Sequence, residues 1–116
     1  MTIRRVVPDI HVRSIDDSRD FYGALGFVEV MDQGWVTTMA SPSNPTAQVT
    51  IMGEDATASQ NPDMSIEVDD VDAVYRTMVA RGATIVHPLR DEEWGVRRFF
   101  VLDPDGRVVN VLGHRA

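Results

Sequence analysis

The sequence predicts a single α+β domain over residues 1–116, built from two tandem βαβββ modules whose strands form a curved mixed sheet around a cleft. Three observations lead there. Short segments with strand-like apolar alternation outnumber helical ones. Two amphipathic stretches each follow a capping residue and stop at a glycine. The halves of the chain also repeat each other. Ile10-His11-Val12 and Gly26 recur 56 positions later as Ile66-Glu67-Val68 and Gly82, and Ser41-Pro42-Ser43-Asn44 recurs 62 positions later as Asp103-Pro104-Asp105-Gly106.

The first module spans about residues 4–52. Arg5 to Val12 reads as a strand. Ser14 is a suitable N-cap, with Asp16 and Asp17 in a first turn where the helix dipole favours anions. Ile15, Phe21, Tyr22 and Leu25 give the helix its apolar face, and Gly26 stands where a helix-ending glycine is expected. Phe27–Met31, Trp35–Ala40 and Ala47–Met52 follow as strands, separated by Asp32-Gln33-Gly34 and the Pro42 turn.

Residues 53–62 are polar, without periodicity, and read as a linker. The second module, about 63–114, begins with a strand from Asp63 to Val68. Asp69 or Asp70 caps a helix carrying Val71, Val74, Met78 and Val79, and Gly82 ends it. Ala83–Val86 is a strand, a loop holds Pro88 and Trp94, and Arg97–Leu102 is the next strand. Asp103-Pro104-Asp105-Gly106 is a strong turn signal before the last strand, Arg107–Leu112.

A βαβββ unit covers one face of its small sheet with its helix and leaves the other face open. Pairing two such units therefore predicts a concave, partly apolar cleft, which is where small molecules bind. The bulk properties narrow the partners. With 43% hydrophobic and 25% charged residues the chain has ordinary globular composition. A net charge of −7 disfavours nucleic acid and anionic membranes and is compatible with a cationic ligand. With no cysteine, thiolate ligands, thiol nucleophiles and disulfides are excluded. No apolar run reaches membrane-span length, and Met1-Thr2-Ile3-Arg4-Arg5 lacks the apolar core of a signal peptide, so a cytoplasmic location is the expectation. A phosphate-binding glycine loop, a nucleophile elbow and HExxH are all missing.

Phe21-Tyr22-Gly23-Ala24-Leu25-Gly26-Phe27 resembles the "FYxxxLGF" signature of the vicinal oxygen chelate superfamily, which includes glyoxalases, bleomycin-resistance proteins and extradiol dioxygenases. Asp103-Pro104-Asp105-Gly106 resembles that family's "DPDG" turn, and the likeness covers nearly the whole chain. The resemblance implies metal-ligand positions on the first and last strands of each module. Carried onto this chain they fall at Val7, Gln48, Asp63 and Asn110, where metal-binding relatives carry mostly His or Glu. Val7 can donate nothing, and the two amides are weak ligands for transition metals, so no metal and no other cofactor is expected.

The remaining candidates lie around the expected cleft. Alternation puts Val7, Asp9 and His11 on one face, and Asp63, Ser65 and Glu67 on its counterpart. Thr50 accompanies Gln48 as a ligand-binding candidate. His11 and Glu67 match in the repeat, as a structural ion pair or, if the protein is an enzyme, a catalytic acid–base pair. Trp35 and Trp94 are candidate pocket walls, and of the alternating Arg97-Arg98-Phe99-Phe100, Arg97 and Phe99 are expected to face the cleft. His87, His114 and the run Arg90-Asp91-Glu92-Glu93 read as solvated.

Two functional classes remain. One is a metal-free protein that sequesters an organic molecule, as the bleomycin-resistance branch does. The other is a metal-dependent lyase, dioxygenase or transferase with a rearranged site. A homodimer is expected in either case, because two-module relatives commonly close each cleft with a unit from each chain.

Overall fold

The structure, a computed structural model, describes residues 2–54, 57–58 and 60–114. Linker positions 55, 56 and 59 lie outside the described residues. The elements run β1 (Ile3–His11), α1 (Ile15–Leu25), β2 (Val28–Asp32), β3 (Val36–Ala40), β4 (Gln48–Met52), β5 (Met64–Val68), α2 (Val71–Ala80), β6 (Ile85–Asp91), β7 (Val96–Leu102) and β8 (Val108–His114). This is βαβββ twice over, the α+β pattern that the repeat predicts. The chain divides into two compact units, Val7–Asn61 and Met1–Val6 with Pro62–Ala116. The division runs through β1.

In the unit Val7–Asn61 the strands lie in the order β2-β3-β4-β1. The β2–β3–β4 meander is antiparallel, and β4 runs parallel to β1 with Ile10 opposite Ile51. The Ser14 hydroxyl accepts the Asp17 amide at 3.1 Å, meeting one of the N–H groups a helix start leaves open. Gly26 ends α1 at φ 117°, a conformation that side-chain-bearing residues avoid. The core is buried Met39, Val49 and Ile51, packed against Ile10, Val12, Ile15, Tyr22 and Phe27. Arg19 ties helix to sheet by reaching Glu29 at 2.8 Å and the Thr37 hydroxyl at 3.4 Å.

The other unit has the matching order β5-β8-β7-β6. Here β5 and β8 are parallel with Ile66 opposite Val111, and β8, β7 and β6 alternate in direction. Of the two possible caps for α2, Asp70 is the one used: its carboxylate accepts the Ala73 amide at 3.1 Å. Asp69 instead accepts the amide of Thr2 at 2.8 Å, fixing the start of the chain. The core is Val68, Val71, Phe99, Val101 and Val111, with Val74, Tyr75 and Met78 of α2 against it.

Two expectations need correcting. The strand expected over Ala83–Val86 is β6, which continues through His87 and Pro88 to Asp91. Its pairing with β7 shifts register between Ile85 and Arg90, so Pro88 sits at an irregularity where a missing N–H costs nothing. The second correction concerns the repeat. Seven residues (41–47) link the paired ends Ala40 and Gln48, but five (103–107) link Leu102 and Val108. The two extra residues move the repeat frame from 62 before the turn to 60 after it. The structural counterpart of Asn110 is therefore Thr50, not Gln48: Asn110 stands opposite Ser65 and Thr50 opposite Asp9.

Candidate functional site

In the second unit Ile66, Val68, Phe99, Val101, Val109 and Val111 face α2. Alternation then turns Ser65, Glu67, Arg98, Phe100, Asn110 and Leu112 to the opposite face, where Arg98, Phe100, Asn110 and Leu112 are buried. Asn110 lies across from Phe100 on β7 and Ser65 on β5. It is 8% exposed, and its Nδ2 donates to the Ser65 hydroxyl at 2.9 Å. Its Oδ1 is buried and has no hydrogen-bond partner among the described residues. A buried acceptor left open costs free energy unless a ligand or water meets it.

Beside Asn110 is a buried charged cluster. His87, Glu92 and Arg98 are each 4% exposed. The Arg98 guanidinium donates to Glu92 at 3.3 Å and lies 5.0 Å from the Trp94 ring and 4.7 Å from the Phe100 ring. Arg90 donates to Glu92 at 2.6 Å, and His87 Nε2 is 3.4 Å from the same carboxylate. Burial, followed by the nearby Arg98 charge, pushes His87 below the ordinary histidine pKa, against the pull of Glu92, and favours the neutral ring. Burial pushes Glu92 up, but the Arg90 bond and the charges of Arg98 and Arg90 outweigh it, so Glu92 sits below the usual range. The cluster fixes Arg98 against the rings of Trp94 and Phe100.

The sequence candidates fall as follows. Val7, Asp9, His11 and Thr50 belong to the unit Val7–Asn61, with Asp9 opposite Thr50. Val7 and Asp9 are buried, at 3% and 8% exposure. His11 lies against Glu54 of its own unit. Its Nε2 is 3.3 Å from Glu54, while Glu67 is 3.1 Å from Arg5 and 3.7 Å from His114. Gln48 donates to the Pro45 carbonyl at 2.9 Å. Trp35 is half-buried just before β3. Trp94, in the β6–β7 turn, covers Arg98. Asp63 accepts the Val108 amide at 2.9 Å and so closes the end of β8.

Arg97 and Phe99 do not share the face of Asn110 but turn to α2. Phe99 is fully buried under α2, edge-to-face with Tyr75 at 5.0 Å, and Arg97 donates to Asp72 of α2 at 3.0 Å. The Asp72 carboxylate, first bonded and then attracted by Arg97, lies below its ordinary range. The inward pair is therefore Arg98 and Phe100. His87 and Glu92, expected in solvent, are buried because Arg98 and Arg90 neutralise the carboxylate there. One sequence signal pointed this way: Asp72 in the first turn of α2 offers Arg97 an acid on the helix side.

Metal-binding relatives would use the first-strand and last-strand positions, and the residues present do not fit a metal. Val7 has no donor atom, Asp63 is engaged by a backbone amide, and Asn110 offers a single neutral oxygen. Among the described residues no group of three or more His, Asp or Glu is placed to hold an ion.

Residues 2–111 match the Glyoxalase/Bleomycin resistance protein/Dioxygenase superfamily, and the chain belongs to it. No curated protein matches the chain. Several solved structures share the fold. A protein described as NAD-dependent benzaldehyde dehydrogenase from Legionella pneumophila matches with a TM-score of 0.76 at 15% identity, over 95% of this chain and 99% of its own. A superfamily member from Vibrio splendidus 12B01 matches at 0.67 and 19%, covering 97% and 99% of the two chains. Methylmalonyl-CoA epimerase from Mycobacterium tuberculosis matches at 0.68 and 18%, covering 98% and 88%. Among the described residues no helix is long and apolar enough to cross a membrane.

Proposed function

We propose that this protein binds a small organic molecule without a metal, in the manner of the bleomycin-resistance branch of its superfamily, and acts in the cytoplasm as a sequestering protein. The observation that carries this reading is Asn110. A nearly buried amide holds one half of its hydrogen-bonding capacity on Ser65 and keeps the other open, next to Phe100. Amide oxygen and nitrogen can exchange places, so the open atom meets a ligand donor or acceptor alike. Arg98 is already balanced by Glu92, so the buried cluster adds little net charge beside Asn110. The acidic chain as a whole suits a cationic ligand. The reading includes a homodimer, supported by the apolar surface that α1 and β2 expose at Phe21, Leu25, Val28 and Val30.

One set of measurements tests this. Gel filtration with light scattering and metal analysis should give a mass of twice 12.9 kDa and no stoichiometric divalent ion. Titration with metal-free bleomycin should then change tryptophan fluorescence, with Asn110→Ala weakening binding about tenfold, the worth of one good hydrogen bond. A stoichiometric metal that Asn110→Ala releases would overturn the reading in favour of a metalloenzyme.

A further inference from the structure

The helix side of the second unit holds a cavity of about 950 Å³, within the size range of small-molecule sites. Its floor is Val68, Val101 and Val111, all buried. Met78 of α2 and Ala83 just beyond it form one wall, and Arg81 stands exposed at the rim. This is the face of the sheet opposite Asn110.

The repeat explains the space. At the spacing of 56, Met78 and Ala83 correspond to Tyr22 and Phe27. In the first unit those two rings pack edge-to-face, 6.2 Å apart, on the Met39–Val49–Ile51 core. The second unit has a flexible thioether and a methyl group in their place. Apolar interiors pack to near-crystal density, so an apolar space of this size needs an occupant or stays open to solvent at a cost. Arg81 replaces Leu25 at the rim. No described carboxylate pairs with it, and the neighbouring Asp103 is taken up by the amides of Asp105 and Arg107. The full charge of Arg81 exceeds the roughly half charge of opposite sign at the helix C-terminus beside it.

We propose that this cavity, where α2 ends over its sheet, is a second binding site, for an acyl chain with an anionic carboxylate head. The chain takes the volume that Tyr22 and Phe27 fill in the sister module, and the head meets Arg81.

Calorimetric titration of the full chain with sodium decanoate, kept below micelle formation, tests it. Decanoate should saturate at one molecule per chain. Decyltrimethylammonium, with the same tail and the opposite head, should bind at least about tenfold more weakly, and Arg81→Glu should weaken decanoate by a similar factor. Met78→Tyr with Ala83→Phe, which copies the first module's filling, should abolish decanoate binding. Undiminished binding by that folded double variant overturns the proposal, as does an absence of saturable binding to the wild type. Should the double variant not fold, equal affinities for the two head groups overturn it.

Discussion

The two modules share a topology yet differ in chemistry at matched positions between helix and sheet. In the first, Arg19 of α1 reaches Thr37 of β3 and the carboxylates of Glu29 and Asp32. In the second, the corresponding residues are Tyr75 and Phe99, which meet edge-to-face. The first helix has no fully buried residue and leaves Phe21 and Leu25 61% and 65% exposed, whereas α2 buries Val71. At those positions the first module has a polar clamp, and its helix keeps apolar surface outside. The second has aromatic packing there, with the Arg97–Asp72 ion pair beside it, and keeps Glu92 and Arg98 buried under the opposite face. Duplication preserved strand order and helix ends, where backbone hydrogen bonding dictates the outcome, and left side-chain chemistry free to diverge.

Substitutions at the paired positions should separate the two chemistries. The largest effect is expected at Phe99→Ala, which empties a fully buried ring site and should cost about 3–5 kcal/mol in chemical denaturation. Thr37→Ala, at the matching position, should cost nearer 1 kcal/mol, the value of a lost hydrogen bond. Equal costs would mean that the modules are held alike.

The buried charges make the second module the acid-sensitive one. His87 has a depressed pKa, so its neutral form supports the fold above the ordinary histidine value of 6.5, and that support is lost as pH falls below it. Glu92, also depressed, adds a loss only below its ordinary 4.5. Urea midpoints of wild type should therefore fall between pH 7 and 5, and His87→Gln should flatten that fall. An unchanged slope in the variant would place the sensitive group elsewhere.

A further test concerns what the modules have in common. Gly26 and Gly82 end their helices at φ 117° and 80° with open space where a Cβ would stand. Valine at either site should cost about 1–2 kcal/mol from backbone strain alone, and about equally in both modules. A loss at one site only would show that the stop is used differently.

Much of this was legible in the sequence. Ser14, Gly26 and Gly82 act at the ends where they were read, because capping and positive φ depend on a residue and its immediate neighbours. The repeat, the strand number and the turn at Asp103-Pro104-Asp105-Gly106 follow from the same local rules. The site was less legible. Gln48 was matched to Asn110 because the turn frame was carried through, and only pairing shows that the first module's turn is two residues longer.

The sequence by itself thus determined the βαβββ duplication, its helix boundaries and a family likeness, since each rests on short-range geometry. Only the tertiary structure decided which of Arg97 and Arg98 faces α2, because side chains in a strand alternate with a period of two and a frame uncertain by one residue reverses every assignment. It alone also decided that His87 and Glu92 are buried. Whether a charge leaves water depends on the partners that come to meet it, and Arg98 reaches Glu92 from a neighbouring strand.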